Sequence, residues 1–165
     1  MNTLAQKYQA LLAQAEAHQH PDTEALRLCF QLLSLANQID LDCAQRLAPH
    51  ALSEGRFVVL FLLAAAPQGL SPHAIATQAG ITRATVTGLL DGLEKEGLLQ
   101  RLPSAHDRRS LIIELTPKGQ SLSQQVFTEH THWMGHLFQP LNPTERQQLH
   151  ALLHKVSASL GQRTP

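Results

Sequence analysis

Two adjacent arginines, Arg108 and Arg109, stand in the stretch SAHDRRSL (residues 104–111), between two short runs of alternating apolar residues. An arginine at the tip of an extended hairpin can reach into a DNA minor groove, where the negative potential is enhanced as the groove narrows. Asp107 would repel phosphate if it were free, so we expect it to pair with Arg109 or Arg101 and to hold the shape of the hairpin. The alternative is that both arginines are solvated loop residues.

A second set of polar side chains belongs to the segment PHAIATQAGITRATVTGLL (residues 72–90), which predicts a helix-turn-helix. The small Ala76 lets two helices cross closely, and Gly80 turns the chain between them. Val86, Leu90 and Leu93 are predicted to point inward. The opposite arc of the second helix is then small and polar near its N-terminus, where hydroxyls can bond to bases or phosphates. Open alternatives are a purely structural corner and a solvated helix face. The predicted DNA-facing residues are Arg83, Ala84, Thr85, Thr87, Gly88, Arg108 and Arg109.

Cap residues and prolines predict the elements that position these side chains. Ser53, Ser71 and Thr82 each precede a helical pattern as N-caps do, and Gly80 and Gly97 suit helix ends. The predicted order is an Ala/Gln-rich stretch of helical character at residues 1–20, then four helices, a hairpin and two helices. The predicted helices cover residues 1–20, Thr23 to about Arg46, Ser53 to about Pro67, Ser71–Gly80, 83–96, Pro117 to about Phe138, and the chain from Asn142 onward. The predicted strands are 98–102 and 110–115, with residues 103–109 joining them.

The predicted fold is mainly α with a small β-wing: a winged helix-turn-helix at residues 51–118, flanked by dimerisation helices at 1–50 and 119–165. The helix that begins at Thr23 is apolar over most of its circumference, so we predict that it is buried on more than one side. The terminal helices carry apolar stripes that one small domain cannot cover, which favours a two-fold homodimer. The alternative is a monomer whose terminal helices fold onto its own core.

Composition limits the classes of function. The 165 residues carry 13 basic and 13 acidic side chains, so any binding to nucleic acid must come from a local arrangement of charge. The apolar share of 43% argues against disorder, and the apolar run at residues 57–66 is too short to span a membrane. We see no signal peptide and expect a soluble, cytoplasmic protein. We find no nucleophile–base pair or paired carboxylates, so we predict no enzyme and no cofactor.

The segment 52–119 resembles the winged helix-turn-helix of the MarR family of bacterial transcription factors. The marks of that resemblance are the run VTGLLDGLEKEGLL, the DRR of the wing and the LTPKG that opens the next helix. The helices on both sides fit the dimerisation region of the family, so the resemblance covers nearly the whole chain. The upstream stretch CFQLLSLANQIDLDCAQRLAPHALSEGRF is similar to the branch of drug-responsive repressors that control efflux pumps.

The resemblance implies a homodimer that binds a pseudo-palindromic operator in double-stranded DNA, as a repressor released by a small aromatic or lipophilic effector. By position, Arg109 corresponds to the wing arginine of the minor groove and Asp107 to its support. Thr85 and Thr87 match contacts of the recognition helix, and Arg83 matches a phosphate or base contact. Several relatives carry a basic or larger polar residue in place of Gly88. We therefore expect fewer direct contacts to base edges here and a larger contribution of DNA shape to sequence specificity.

An effector pocket in this architecture would lie between the first long helix, the second helix and the wing-side helix. Phe30, Phe57 and Trp133 are candidates to line it, and they are equally good core residues. The alternative functions are a zinc- or redox-responsive regulator of the same fold and a winged-helix module that binds protein. We interpret Cys29 and Cys43 as buried small apolar side chains rather than as a redox switch, because no cluster of basic residues adjoins either.

Histidine is frequent, with ten copies in the chain. Two pairs have i,i+4 spacing, which puts both rings of a pair on one helix face and can chelate zinc. These pairs are His132/His136 and His150/His154. The favoured interpretation is that they are histidines on partly exposed helix flanks, so we assign no metal ligand.

Overall fold

The computed structural model describes residues 4–103 and 111–161, in two compact units that divide after Ser123. The order of elements confirms the predicted one. The helices are α1 (Gln6–Ala17), α2 (Thr23–Leu47), a short 3-10 turn (Ala48–His50), α3 (Glu54–Ala64), α4 (Pro72–Ala79), α5 (Arg83–Lys95), α6 (Pro117–Leu137) and α7 (Pro143–Gly161). The strands are β1 (Leu99–Pro103) and β2 (Leu111–Leu115). The division into dimerisation and DNA-binding regions stays a prediction.

The predicted caps begin three consecutive helices of the first unit. The side chains of Ser53, Ser71 and Thr82 each accept a hydrogen bond from the backbone N–H three residues further on. These bonds satisfy N–H groups that have no partner within the helix. Gly80 ends α4 with φ at 66°, a left-handed conformation that glycine adopts without strain. Local sequence chemistry therefore sets the start of α3, α4 and α5.

The core of the first unit lies beneath α5. Val86, Leu90 and Leu93 point inward and are at most 2% exposed, next to fully buried residues of α3 and α4 such as Leu60 and Ile75. Strands β1 and β2 pair antiparallel, with Leu99 opposite Leu115 and Pro103 opposite Leu111. Leu70 and Ile113 exchange two backbone hydrogen bonds of 3.0 and 2.8 Å. The base of the wing is therefore tied both to its own hairpin and to the segment before α4.

Helix α2 corrects one prediction. Only Ser34 and Leu47 of this helix are buried, whereas Leu28, Leu35 and Leu41 are between 54% and 61% exposed. The prediction that α2 is buried on more than one side is therefore wrong for the single chain. The physical reason is that the helices packed against α2 within its own unit, α1 and α3, leave its outward apolar surface uncovered.

The second unit comprises the rest of α6 and helix α7. Asn142 and Glu145 form a capping box before α7: the Asn142 N–H donates to Glu145 Oε2 at 2.8 Å, and the Glu145 N–H donates to Asn142 Oδ1 at 3.0 Å. Within α6, Val126 and Trp133 are buried. Several large apolar side chains of α7 remain exposed, namely Leu152, Leu153, Val156 and Leu160.

Among the described residues, no single helix combines the length and apolar character needed to cross a membrane. The segments Thr23–His50 and Glu54–Ala64 meet both criteria only as a pair. The angle of the bend between them is 72°.

Candidate nucleic-acid interface

Helix α5 presents one polar arc to solvent. Its apolar residues anchor it from below, and the predicted DNA-facing residues on the helix lie on the exposed side. These exposed residues are Arg83, Ala84, Thr85, Thr87 and Gly88. The predicted orientation of the helix is confirmed, and contact of these residues with DNA stays a prediction.

The threonines of α5 already use part of their hydrogen-bonding capacity. Thr82 Oγ1 lies 2.8 Å from Thr85 Oγ1, and Thr87 Oγ1 donates to the carbonyl oxygen of Arg83 at 3.0 Å. A hydroxyl has one proton and two lone pairs. In this conformation the Thr87 hydroxyl is therefore free to act only as an acceptor, while its methyl group remains available for apolar contact.

His73 is a residue of the site that the sequence reasoning missed. Arg83 Nη2 donates to His73 Nδ1 at 3.3 Å, across the turn that joins α4 to α5. Because a guanidinium group cannot accept, Nδ1 must be the unprotonated nitrogen, and Nε2 carries the proton. His73 thus orients Arg83 at the start of α5. The signal in the sequence was a histidine directly after the proline that opens the first helix of the helix-turn-helix.

Charge is distributed unevenly along α5. No carboxylate occurs between Ser71 and Leu90, whereas Asp91 and Glu94 lie further along the helix. Arg101 on β1 neutralises this acidic part, with Nη2 at 2.5 Å from Asp91 Oδ1 and Nε at 3.4 Å from Glu94 Oε2. The N-terminal part of α5 is therefore the part that can approach phosphate without repulsion.

Arg101 was predicted to support the wing by pairing with Asp107, but its described partners are different residues. Its described partners are carboxylates of α5, so it links the wing strand to the helix. The predicted alternative partner, Asp107, lies outside the described residues, as do Arg108 and Arg109. The described strands on either side, β1 and β2, pair antiparallel.

A second arginine, Arg56, contacts the C-terminal end of α5, and the sequence reasoning missed this residue. Arg56 on α3, whose side chain is 18% exposed, places Nη2 at 2.5 Å from Glu96 Oε1, and its Nη1 donates to the carbonyl oxygen of Ala51 at 2.8 Å. Arg56 and Arg101 together fix the C-terminal part of α5 to its surroundings. Such contacts give the helix the fixed direction that groove binding requires.

Comparison with known proteins identifies the family. The family model described as MarR family matches residues 52–111. The HTH-type transcriptional repressor YetL of Bacillus subtilis (strain 168) is 34% identical over 125 residues, which are 75% of this chain and 75% of that protein. This chain belongs to the MarR family.

Further MarR-family proteins match most of the chain. The HTH-type transcriptional regulator PecS of Dickeya dadantii (strain 3937) is 33% identical over 141 residues, 84% of this chain and 85% of PecS. The crystal structure of a MepR–DNA complex from Staphylococcus aureus has a TM-score of 0.68 and 28% identity, and it covers 78% of this chain and 94% of that one. The chain is therefore a transcriptional regulator with a MarR-type winged helix, not an enzyme.

The two cysteines of this MarR-family chain lie on α2. Cys29 is exposed and Cys43 is half-buried, so the prediction that both are buried is wrong for the single chain, because the outward surface of α2 is uncovered. Burial raises the pKa of the Cys43 thiol, and the carboxylates of Glu54, Asp40 and Asp42 raise it further. A redox sensor needs a thiolate, hence a lowered pKa, so this environment argues against a redox switch at Cys43.

The aromatic residues predicted for an effector pocket belong to different units. Phe30 is half-buried on α2 and stacks on Tyr8 of α1, with ring centroids 5.1 Å apart, and Phe57 is half-buried on α3. Trp133 is buried in the second unit, where its ring lies 4.8 Å from that of His130. Tyr8 was not predicted. An effector pocket in this member of the MarR family stays a prediction.

Proposed function

We propose that this chain is a repressor that binds a pseudo-palindromic operator as a homodimer in the cytoplasm, with the start of α5 in the major groove. The observation that carries this proposal is the exposed, carboxylate-free start of α5, held from below by its buried apolar face. A helix of this kind can enter the major groove and bring its N-terminal side chains to base edges. The DNA complex of the relative MepR supports the proposed mode of binding.

Within the groove, we assign different roles to the residues of α5. Arg83, oriented by His73, contacts phosphate or a guanine edge. The hydroxyl of Thr87, which retains only acceptor capacity, accepts from the amino group of adenine or cytosine, or its methyl group contacts thymine. Ala84 and Gly88 bring the helix close to the bases without reading them. The small side chain of Gly88 leaves more of the discrimination to DNA shape.

The wing provides the second contact of each half-site. In this proposal Arg109 enters the minor groove, Arg108 contacts the backbone nearby, and Asp107 supports the hairpin. Arg101, which is tied to Asp91 and Glu94, keeps the hairpin and α5 in one orientation. Both contacts then act on the same stretch of duplex.

The exposed apolar stripe of α7 supports the homodimer. Leu153, Val156 and Leu160 lie on one side of the helix and are 41%, 52% and 70% exposed. A stripe of this kind is stabilised when a second copy covers it, because apolar area is removed from water. A two-fold dimer also places two recognition helices about one DNA turn apart.

The substitution Val156→Glu is expected to raise the dimer dissociation constant at least about tenfold, because a carboxylate would be buried without a partner. The control is Ala158→Glu, which adds the same charge on the opposite side of α7. Light scattering over a range of concentrations measures the mass. A wild-type chain that is monomeric at all concentrations, or equal masses for both variants, contradicts the proposed dimer.

Release by an aromatic or lipophilic effector is the regulatory part of the proposal. An effector can release DNA only if it binds the DNA-bound and free conformations with different affinity. Phe30 and Phe57 of the first unit and Trp133 of the second are the candidate contacts. The relative YetL is a transcriptional repressor, which supports the proposed direction of regulation.

Binding to the DNA upstream of its own gene is expected to weaken steeply with salt. A plot of log affinity against log salt concentration is expected to have a slope of about −4 or steeper, because several phosphate contacts per dimer release counterions. Fluorescence anisotropy with a labelled upstream fragment measures this slope, and an unrelated fragment of equal length is the control. Equal affinity for both fragments, or no salt dependence, would favour the protein-binding module instead.

A further inference from the structure

The described side chains include one pair of histidines whose ring nitrogens converge. His132 and His136 are both exposed on α6, and their Nε2 atoms are 2.9 Å apart, with ring centroids at 4.4 Å. His150 and His154 on α7 have the same sequence spacing and are also exposed. Of the two described pairs, the α6 pair is the one whose rings are in contact, so the two pairs differ in geometry.

The separation of the two Nε2 atoms matches that of neighbouring ligands on a metal ion. Metal–imidazole bonds are about 2.0–2.1 Å long, so two ligands at right angles are about 2.9 Å apart, whereas two tetrahedral ligands are about 3.3 Å apart. Right-angled nitrogen ligands are typical of square-planar or tetragonal Ni²⁺ and Cu²⁺. The observed 2.9 Å is the length of a hydrogen bond between the two rings, and it also equals the separation of two right-angled ligands, so the rings need move little to bind an ion of that geometry.

A third residue orients one of the rings. His136 Nδ1 lies 2.8 Å from Gln139 Oε1, and an amide oxygen can only accept. Nδ1 of His136 therefore carries the proton, and the lone pair of its Nε2 points toward His132. A hydrogen bond from the non-ligating ring nitrogen to a neighbouring oxygen is the usual support of a metal-binding histidine.

We propose that His132 and His136 form a binding site for a divalent metal ion of the nickel–copper type, with Gln139 as the residue that orients His136. In the described residues no third histidine, cysteine or carboxylate converges with them, so the other coordination positions are left to water or other added ligands. The proton between the two rings lies on His132 Nε2, and when that nitrogen binds metal the neutral His132 ring carries its proton on Nδ1 instead. This site is independent of the proposed DNA contacts.

The test is a calorimetric titration of the full-length, tag-free chain with Ni²⁺, in which His136→Gln is compared with the matched control His154→Gln. We expect the wild type to bind one Ni²⁺ per chain with higher affinity than any further Ni²⁺ that the chain takes up. The substitution His136→Gln is expected to weaken the binding of this first ion at least about tenfold. His154→Gln is expected to keep the affinity within about twofold of the wild type, and Gln139→Ala to lower it by about tenfold.

The three substituted residues, His136, Gln139 and His154, are exposed, so these variants are expected to retain the fold, and circular dichroism verifies this. Bound Ni²⁺ is also expected to raise the melting temperature of the wild type and not that of His136→Gln, because a ligand that binds only the folded state stabilises it. Equal affinity of wild type and His136→Gln, or an equal loss in His154→Gln, would overturn the site. Unchanged affinity in Gln139→Ala would overturn the role of Gln139.

Discussion

Replacing Arg109 with alanine is expected to weaken binding of the dimer to its operator by between about 30-fold and 10⁴-fold. A contact of this type contributes about 1–3 kcal/mol per site, and a two-fold dimer uses it twice. We expect a large contribution because, in the proposed complex, the guanidinium group lies in a narrow minor groove with enhanced negative potential. Two lost contacts are also expected to reduce the slope of log affinity against log salt by about 2.

Arg27→Ala is the matched control, because it removes the same charge from the N-terminal helices. Arg27 lies on α2, where its guanidinium pairs with Glu16 at 2.7 Å. An exposed pair of this kind contributes little to stability, so the control chain is expected to fold and bind normally. Anisotropy titrations of both variants at one salt concentration measure the difference. Equal affinities for Arg109→Ala and Arg27→Ala would mean that the wing arginine is a solvated loop residue.

The helix starts and the buried face of α5 could be predicted from sequence because their causes are local. A cap such as Ser71 acts on a backbone N–H only three residues away, at 3.2 Å. The inward face of α5 follows from the spacing of Val86, Leu90 and Leu93 and the helical period. Neither feature depends on how distant parts of the chain meet.

The contacts that orient α5 could not be predicted in the same way. The pairing of Arg101 with Asp91 joins a strand to a helix, and the contact of Arg83 with His73 depends on the angle between α4 and α5. The prediction that α2 is buried on more than one side failed for a different reason. Apolar residues such as Leu28 show that a surface is to be covered, but the pattern is the same whether the cover comes from the same chain or from a second copy.

The LTPKG segment explains how α6 docks onto the end of α5. Thr116 Oγ1 donates to the carbonyl oxygen of Gly97 at 2.7 Å and accepts from the N–H of Gly119 at 3.1 Å. Lys118 Nζ donates to the carbonyl oxygen of Glu96 at 2.9 Å. These bonds satisfy carbonyl groups that the end of α5 leaves without helical partners, and the lysine adds a favourable positive charge there.

This docking brings the backbone of Gly119 against the backbone of Leu98. A Cβ atom at position 119 would overlap the carbonyl oxygen of Leu98, which also accepts a hydrogen bond from the Thr116 N–H at 3.1 Å. Backbone at this point cannot rotate away as a side chain could, so α6 would have to move off the end of α5. Only glycine permits the observed approach.

Gly119→Ala is therefore expected to lower the free energy of unfolding by about 3 kcal/mol or more, because the overlap is with backbone. Gly88→Ala is the control with the opposite sign. It lies in the exposed middle of α5 with nothing within 4 Å of an added Cβ, so it is expected to raise stability by about 0.5–1 kcal/mol. Urea unfolding followed by circular dichroism, at one protein concentration, measures both changes. Loss of folded protein for Gly119→Ala alone agrees with the prediction, and equal midpoints for the two variants contradict it.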